Sequence, residues 1–135
     1  MGKNVFKITP VQDKARQKEL CELCGASFNE EYFAYVMFDT VTNEVMGMSQ
    51  FEISSGTGYI SDLRSHPSLD DFEAMFILGR QTMNFIDLCG LHTASAALNA
   101  ADERLIRAIG FKPSEDGYFS DMTGFFDGHC DGGKK

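Results

Sequence analysis

Along the chain the apolar positions change period several times, and each change marks an element. Val5 to Ile8 alternates apolar and polar residues and is closed by Thr9-Pro10, which predicts an edge strand. From Asp13 to Phe28 the residues Ala15, Leu20, Leu23, Cys24 and Phe28 recur at helical spacing, opposite Lys14, Arg16, Lys18 and Glu22. A helix is expected there, fraying at Gly25. Tyr32 to Phe38 and Val45 to Ile53 are rich in aromatic and β-branched residues and flank the turn formers Thr40 to Glu44, the pattern of an antiparallel hairpin. After the turn cluster Ser54 to Gly58, the residues Tyr59, Ile60 and Leu63 extend the meander until His66-Pro67, where His66 caps the turn.

Ser68-Leu69-Asp70-Asp71 offers hydroxyl and carboxylate groups for a helix start. Phe72, Met75, Phe76, Gly79, Met83 and Ile86 then form a stripe at three- and four-residue steps that stops at Cys89-Gly90, with Gly79 marking close backbone packing. Thr93 to Leu98 is small and apolar, as expected of a strand buried between layers. Asn99 opens an amphipathic helix carrying Leu105, Ile106 and Ile109 before Gly110, and Tyr118 to Phe126 reads as a last strand. Strand, helix, three-strand meander, long helix, strand, helix and strand compose an α+β fold: a mixed, mostly antiparallel central sheet flanked by helices in α/β/α layers.

Composition narrows the function classes. The 135 residues, 43% of them apolar, suit one domain over residues 1–126, followed by a Gly-rich charged tail over 127–135 that is expected to be mobile. Twelve basic against twenty acidic side chains leave a net charge of −8, which argues against nucleic acid and anionic membranes as partners. No long apolar run or leader pattern is present, so a soluble, cytoplasmic protein is expected. Cys21, Cys24, Cys89 and Cys130 are expected to be reduced, and Cys21-Glu22-Leu23-Cys24 has no second ligand pair nearby, so no metal site is assigned. His129 and Cys130 lie in the tail at no standard zinc spacing.

The segment Asn99-Ala100-Ala101-Asp102-Glu103-Arg104-Leu105-Ile106-Arg107-Ala108-Ile109-Gly110-Phe111, with its Gly-Phe ending, resembles the late motif of the GNAT superfamily of N-acetyltransferases. Ile60 to Pro67 resembles that family's fourth strand more weakly, and the element order agrees over nearly the whole chain. The resemblance implies acetyl-CoA as cofactor, held by the backbone of Leu63, Arg64 and Ser65 and by Asn99, between splayed fourth and fifth strands. It implies transfer of the acyl group to a small-molecule or peptide amine, for which an acidic protein is electrostatically suited. A homodimer formed through an exposed sheet edge is compatible with it.

The candidate catalytic groups follow from position. Asp62 and Glu52 stand on the central strands where a cleft would open, His66 stands just after them, and all three are candidate bases for an ammonium proton. The family often places a phenol in its last motif helix to protonate the departing thiolate, but this chain has Ile106 there, which leaves Tyr118 as the candidate acid. Where the family carries glycines in its pyrophosphate loop, this chain has Asp70, Asp71 and Glu73. Carboxylates turned into a helix start repel phosphate, so the alternative is a non-catalytic domain of the same fold that binds a ligand or protein and has lost conventional CoA binding.

Overall fold

The computed structural model describes residues 5–69 and 71–126, so Asp70 and the 127–135 tail with His129 and Cys130 lie outside the described residues. The elements are β1 (Phe6–Pro10), α1 (Lys14–Cys24), β2 (Phe33–Asp39), β3 (Val45–Ser54), β4 (Thr57–Ser65), α2 (Phe72–Leu88), β5 (Thr93–Ala97), α3 (Glu103–Ile109), β6 (Lys112–Ser114) and β7 (Gly117–Asp121). They build a seven-stranded sheet in the order β1-β2-β3-β4-β5-β7-β6. Every neighbouring pair is antiparallel except β4 and β5, which α2 connects as a parallel crossover.

The alternation of each strand sends its residues to two different layers. Ala34, Val36 and Met48 pack under α1 against Leu20, Cys21 and Cys24. Tyr35, Met37, Phe51, Ile60, Leu63, Ala94 and Ala96 pack under α2 and α3 with Leu78, Met83, Ile86, Ile106 and Ile109. Gly79 permits the close approach expected of it, since a Cβ there would stand 3.0 Å from both Ile109 and Leu63.

Several boundaries differ from the sequence expectation for identifiable reasons. Pro10 belongs to β1, where it pairs with Tyr35 on the sheet's edge strand and its missing N–H breaks no inner ladder. The β3–β4 turn needs only Ser55 and Gly56, both at positive φ (54° and 79°), so the strands reach further into the turn cluster than composition indicates. Helix α1 ends at Gly25, the residue where fraying is expected, in the left-handed conformation with φ 81°. Its inward face also differs: Leu23 is exposed, whereas Gln17 is completely buried. Asn99 does not open α3, because Asp102 is the N-cap, its side chain accepting from the Leu105 amide. β7 ends at Asp121, five residues short of Phe126.

Candidate functional site

β4 and β5 pair only at Gly58–Ala94, Tyr59–Ser95 and Ile60–Ala96, after which β4 continues to Ser65 paired to β3 on one side and with no strand on its β5 side. A bulge occurs at this divergence: Gln50 of β3 faces Asp62 while Phe51 faces Ile60, so Ser61 is the extra residue on β4. Bulges re-aim the backbone and side chains that follow them.

Gln50 fixes this bulge. It is fully buried, and its Oε1 accepts from Gln17 Nε2 at 2.9 Å and from the Asn29 amide at 3.0 Å. Its Nε2 donates to the Ser27 carbonyl at 2.7 Å and to Asp62 Oδ2 at 3.1 Å. Asp62 is buried too, with Oδ2 also accepting from Ser61 Oγ at 2.9 Å and Oδ1 paired to Arg64 Nε at 3.2 Å. Both of its oxygens are engaged, which makes Asp62 an anchor for the bulge and for Arg64 more than a free proton acceptor.

Beyond the bulge a cavity of about 340 Å³ opens between Leu63 to Ser65, the start of α2 and the 101–105 segment. Asp71 lies on its wall as the N-cap of α2, with Oδ1 accepting from the Ala74 amide at 3.0 Å. Asp102 does the same for the Leu105 amide at 3.0 Å. Each carboxylate thus occupies an N–H group that an anionic ligand would otherwise use. Two guanidiniums share the cavity: Arg104 stacks at 4.0 Å over the Phe72 ring, and Arg64 reaches from Asp62 to the Asn99 carbonyl, its Nη2 donating at 2.7 Å. Glu73 is exposed and is not among the lining residues, so among the described residues the acidic side chains lining the cavity are Asp71 and Asp102.

The residues expected to hold a cofactor are therefore brought together. Leu63, Arg64 and Ser65 line one wall, and Asn99 meets them through its backbone carbonyl. The Leu63 amide is already engaged, donating to the Ala100 carbonyl at 2.8 Å, so the turn after β5 bridges the gap between the splayed strands. Glu52 stands at the other end of β4, opposite Tyr59 in the register and half-buried. It is close to Tyr32, whose hydroxyl is pushed above its ordinary pKa first by burial and then by the charges of Glu52, Tyr59, Asp62 and Glu31. Tyr118 stands apart: it is buried beside Ala96 in the α2 and α3 layer, whereas Asp62 and Gln50 face α1. His66 caps its turn, Nδ1 accepting from the Ser68 amide at 3.0 Å. Burial pushes the Cys21 and Cys24 thiols up to about 11, which keeps them protonated and non-nucleophilic near neutral pH. Among the described residues no group of His, Cys, Asp and Glu is arranged to hold a metal ion.

Sequence reasoning missed Gln50, Gln17 and Ala100. Ser49-Gln50 in the middle of an apolar strand was an available signal for the first, whereas Ala100 contributes only a carbonyl and has no side-chain signature.

No family model matches the sequence, and no curated protein matches it either. The arrangement of elements, however, is shared with solved structures. The IAA acetyltransferase from Bacillus cereus superposes with a TM-score of 0.67 at 17% identity, over 82% of this chain and 79% of that one. The chain has the GNAT fold. The ribosomal-protein-S18-alanine N-acetyltransferase from Escherichia coli shares it at a TM-score of 0.64 and 13% identity, over 82% of this chain and 80% of that one. An acetyltransferase from Bacillus subtilis, solved in complex with CoA, shares it at 0.64 and 15%, over 84% and 79%. At such identities the likeness establishes the GNAT fold, and the chemistry has to be argued from this chain's own residues.

Proposed function

We propose that this chain is a GNAT-type acyltransferase that takes an acyl group from acyl-CoA and passes it to an amine. The observation that carries this reading is the divergence of β5 from the end of β4, whose β5 side opens onto a cavity that contains Arg64 and Arg104. The two guanidiniums suit a polyphosphate, and the backbone of Ser65 suits an amide-bearing arm laid along the strand. Acyl-CoA supplies an activated thioester carbonyl. On this chain, Arg64 and Arg104 hold the anionic end, the Ser61 bulge sets the direction of the β4 backbone beyond it, and Glu52 accepts the ammonium proton of the incoming amine. Arg64 is held in place for this by Asp62.

Asp71 opposes the anionic end. Two like charges about 4 Å apart repel by roughly 4 kcal/mol at an effective dielectric near 20, against about 0.3–1 kcal/mol from a helix end. The direct test is calorimetric titration of the full chain with acetyl-CoA, alongside Asp71→Asn, which keeps the cap while removing the charge, and Arg104→Gln. The expected result is micromolar binding that tightens at least about tenfold in Asp71→Asn and weakens in Arg104→Gln. Failure of the unaltered protein and of Asp71→Asn to bind would sink the proposal.

A second reading, a ligand- or protein-binding domain without CoA, is favoured by one specific observation: the Leu63 amide is already bonded to Ala100. Binding that occurs only in Asp71→Asn would select it.

A further inference from the structure

At the opposite end of α2, four aromatic rings wall a second pocket of about 490 Å³, within the size range of small-molecule sites. Phe33 and Tyr35 stand two residues apart on β2, so both point to the α2 side, and Phe51 of β3 lies opposite Phe33 in the register. Phe85 closes over them from the last turns of α2. The ring centroids are 5.9 Å apart for Phe33–Phe51, 5.6 Å for Tyr35–Phe51, 6.0 Å for Tyr35–Phe85 and 5.8 Å for Phe51–Phe85. Core packing accounts for three of these rings but not for Phe33, which is 50% exposed. Phe33 lies beyond the last β1–β2 register pair, Pro10–Tyr35, where the chain leaves β2 after one more bond, from the Val11 amide to the Ala34 carbonyl at 2.9 Å.

Charge selects the ligand. Among the described residues that line this pocket, Lys14 carries the one formal charge. Its ammonium donates to the Tyr32 carbonyl at 2.6 Å, one residue before Phe33, and to Gln17 Oε1 at 3.1 Å, which leaves one of its three N–H groups for a ligand. On a chain of net charge −8, a pocket lined by rings and one cation is a local exception.

We propose that this pocket binds a planar aromatic carboxylate, its ring against Phe33 and Phe85 and its carboxylate paired with Lys14. Tilted and edge-to-face walls present ring faces and edges that complement a flat π-system. The site is separate from the proposed acyl-CoA cavity, since the thirteen residue steps of α2 from Phe72 to Phe85 span about 20 Å.

The test is calorimetric titration of the full chain with 2-naphthoate, neutral 2-naphthamide and octanoate, for the unaltered protein, Phe33→Ala and Lys14→Met. Both substituted side chains are at the surface, so the fold is retained. The expected pattern is saturable binding of 2-naphthoate ahead of both other compounds. Phe33→Ala should weaken the naphthyl compounds by about tenfold, and Lys14→Met should remove the preference for naphthoate over naphthamide. Amide chemical-shift changes on adding 2-naphthoate should centre on residues 33–35 and 85. The proposal is overturned by absence of saturable binding, by octanoate binding as tightly as naphthoate, by insensitivity to either variant, or by shifts centred on residues 63–65.

Discussion

The two faces of the central sheet are filled by different means. Beneath α1, Gln17, Gln50 and Asp62 are buried and satisfied bond by bond. Beneath α2, the space is taken up by Leu78, Met83, Ile86, Ile60 and Phe51, with the Ser49–Thr82 hydroxyl pair as a small polar inclusion. Volume tolerates exchange, whereas a saturated hydrogen-bond network does not, because removing one member strands its partners. The candidate site borrows its rigidity from the polar face: the network ends on the Ser61 bulge and, through Asp62, on Arg64.

Substitutions on the two faces should separate these roles. Gln50→Leu, similar in size, should cost about 3–5 kcal/mol in denaturant unfolding, because it leaves the Asn29 amide without its acceptor and removes one donor from the buried Asp62 carboxylate. A smaller loss should appear on raising the pH. Burial holds Cys24 at about 11 against its ordinary 9.0, so the unfolded chain releases that proton first. Stability is then intact below pH 9 and falls as pH rises toward 11, by about 2–3 kcal/mol for this thiol. Unfolding midpoints of the reduced protein and of Cys24→Ala, compared at pH 8 and 10.5, should show the steeper decline in the unaltered chain. On the apolar face, Leu78→Met should cost less than about 1.5 kcal/mol by the same measurement. Smallest is a gain: Ser120 Oγ is buried without a partner among the described residues, so Ser120→Ala should raise stability by about 1 kcal/mol. A Leu78→Met loss as large as that of Gln50→Leu would remove the distinction between the faces.

The apolar face was also the legible one. Helix α2 was readable from Phe72, Met75, Gly79, Met83 and Ile86, because an apolar stripe on a long helix has a single burial solution. Helix α1 has weak periodicity, and its rotation is set by Gln17 seeking Gln50, so Leu23 turns outward against the pattern. The start of α3 was misread because Asn99, Ala100 and Ala101 tolerate a helix, and the cap formed by Asp102 decides the boundary. In the candidate site, Leu63, Arg64 and Ser65 were identifiable through the resemblance of Ile60 to Pro67 to the GNAT fourth strand. The bond from Leu63 to Ala100 was not, since a backbone carbonyl leaves no mark in the sequence. Nor does alternation say which layer a strand residue enters, and Tyr118 entered the layer away from Asp62.

The short parallel seam has a mechanical consequence. The meander β1–β4 and the trio β5, β7 and β6 each keep an internal antiparallel ladder, but the two groups meet over only three register pairs. Past that seam they are clasped by the Leu63–Ala100 and Arg64–Asn99 bonds. The sheet is therefore two antiparallel ladders joined by a narrow parallel seam, and a ligand arm entering from the open end would meet the Leu63–Ala100 and Arg64–Asn99 bonds before it met either ladder.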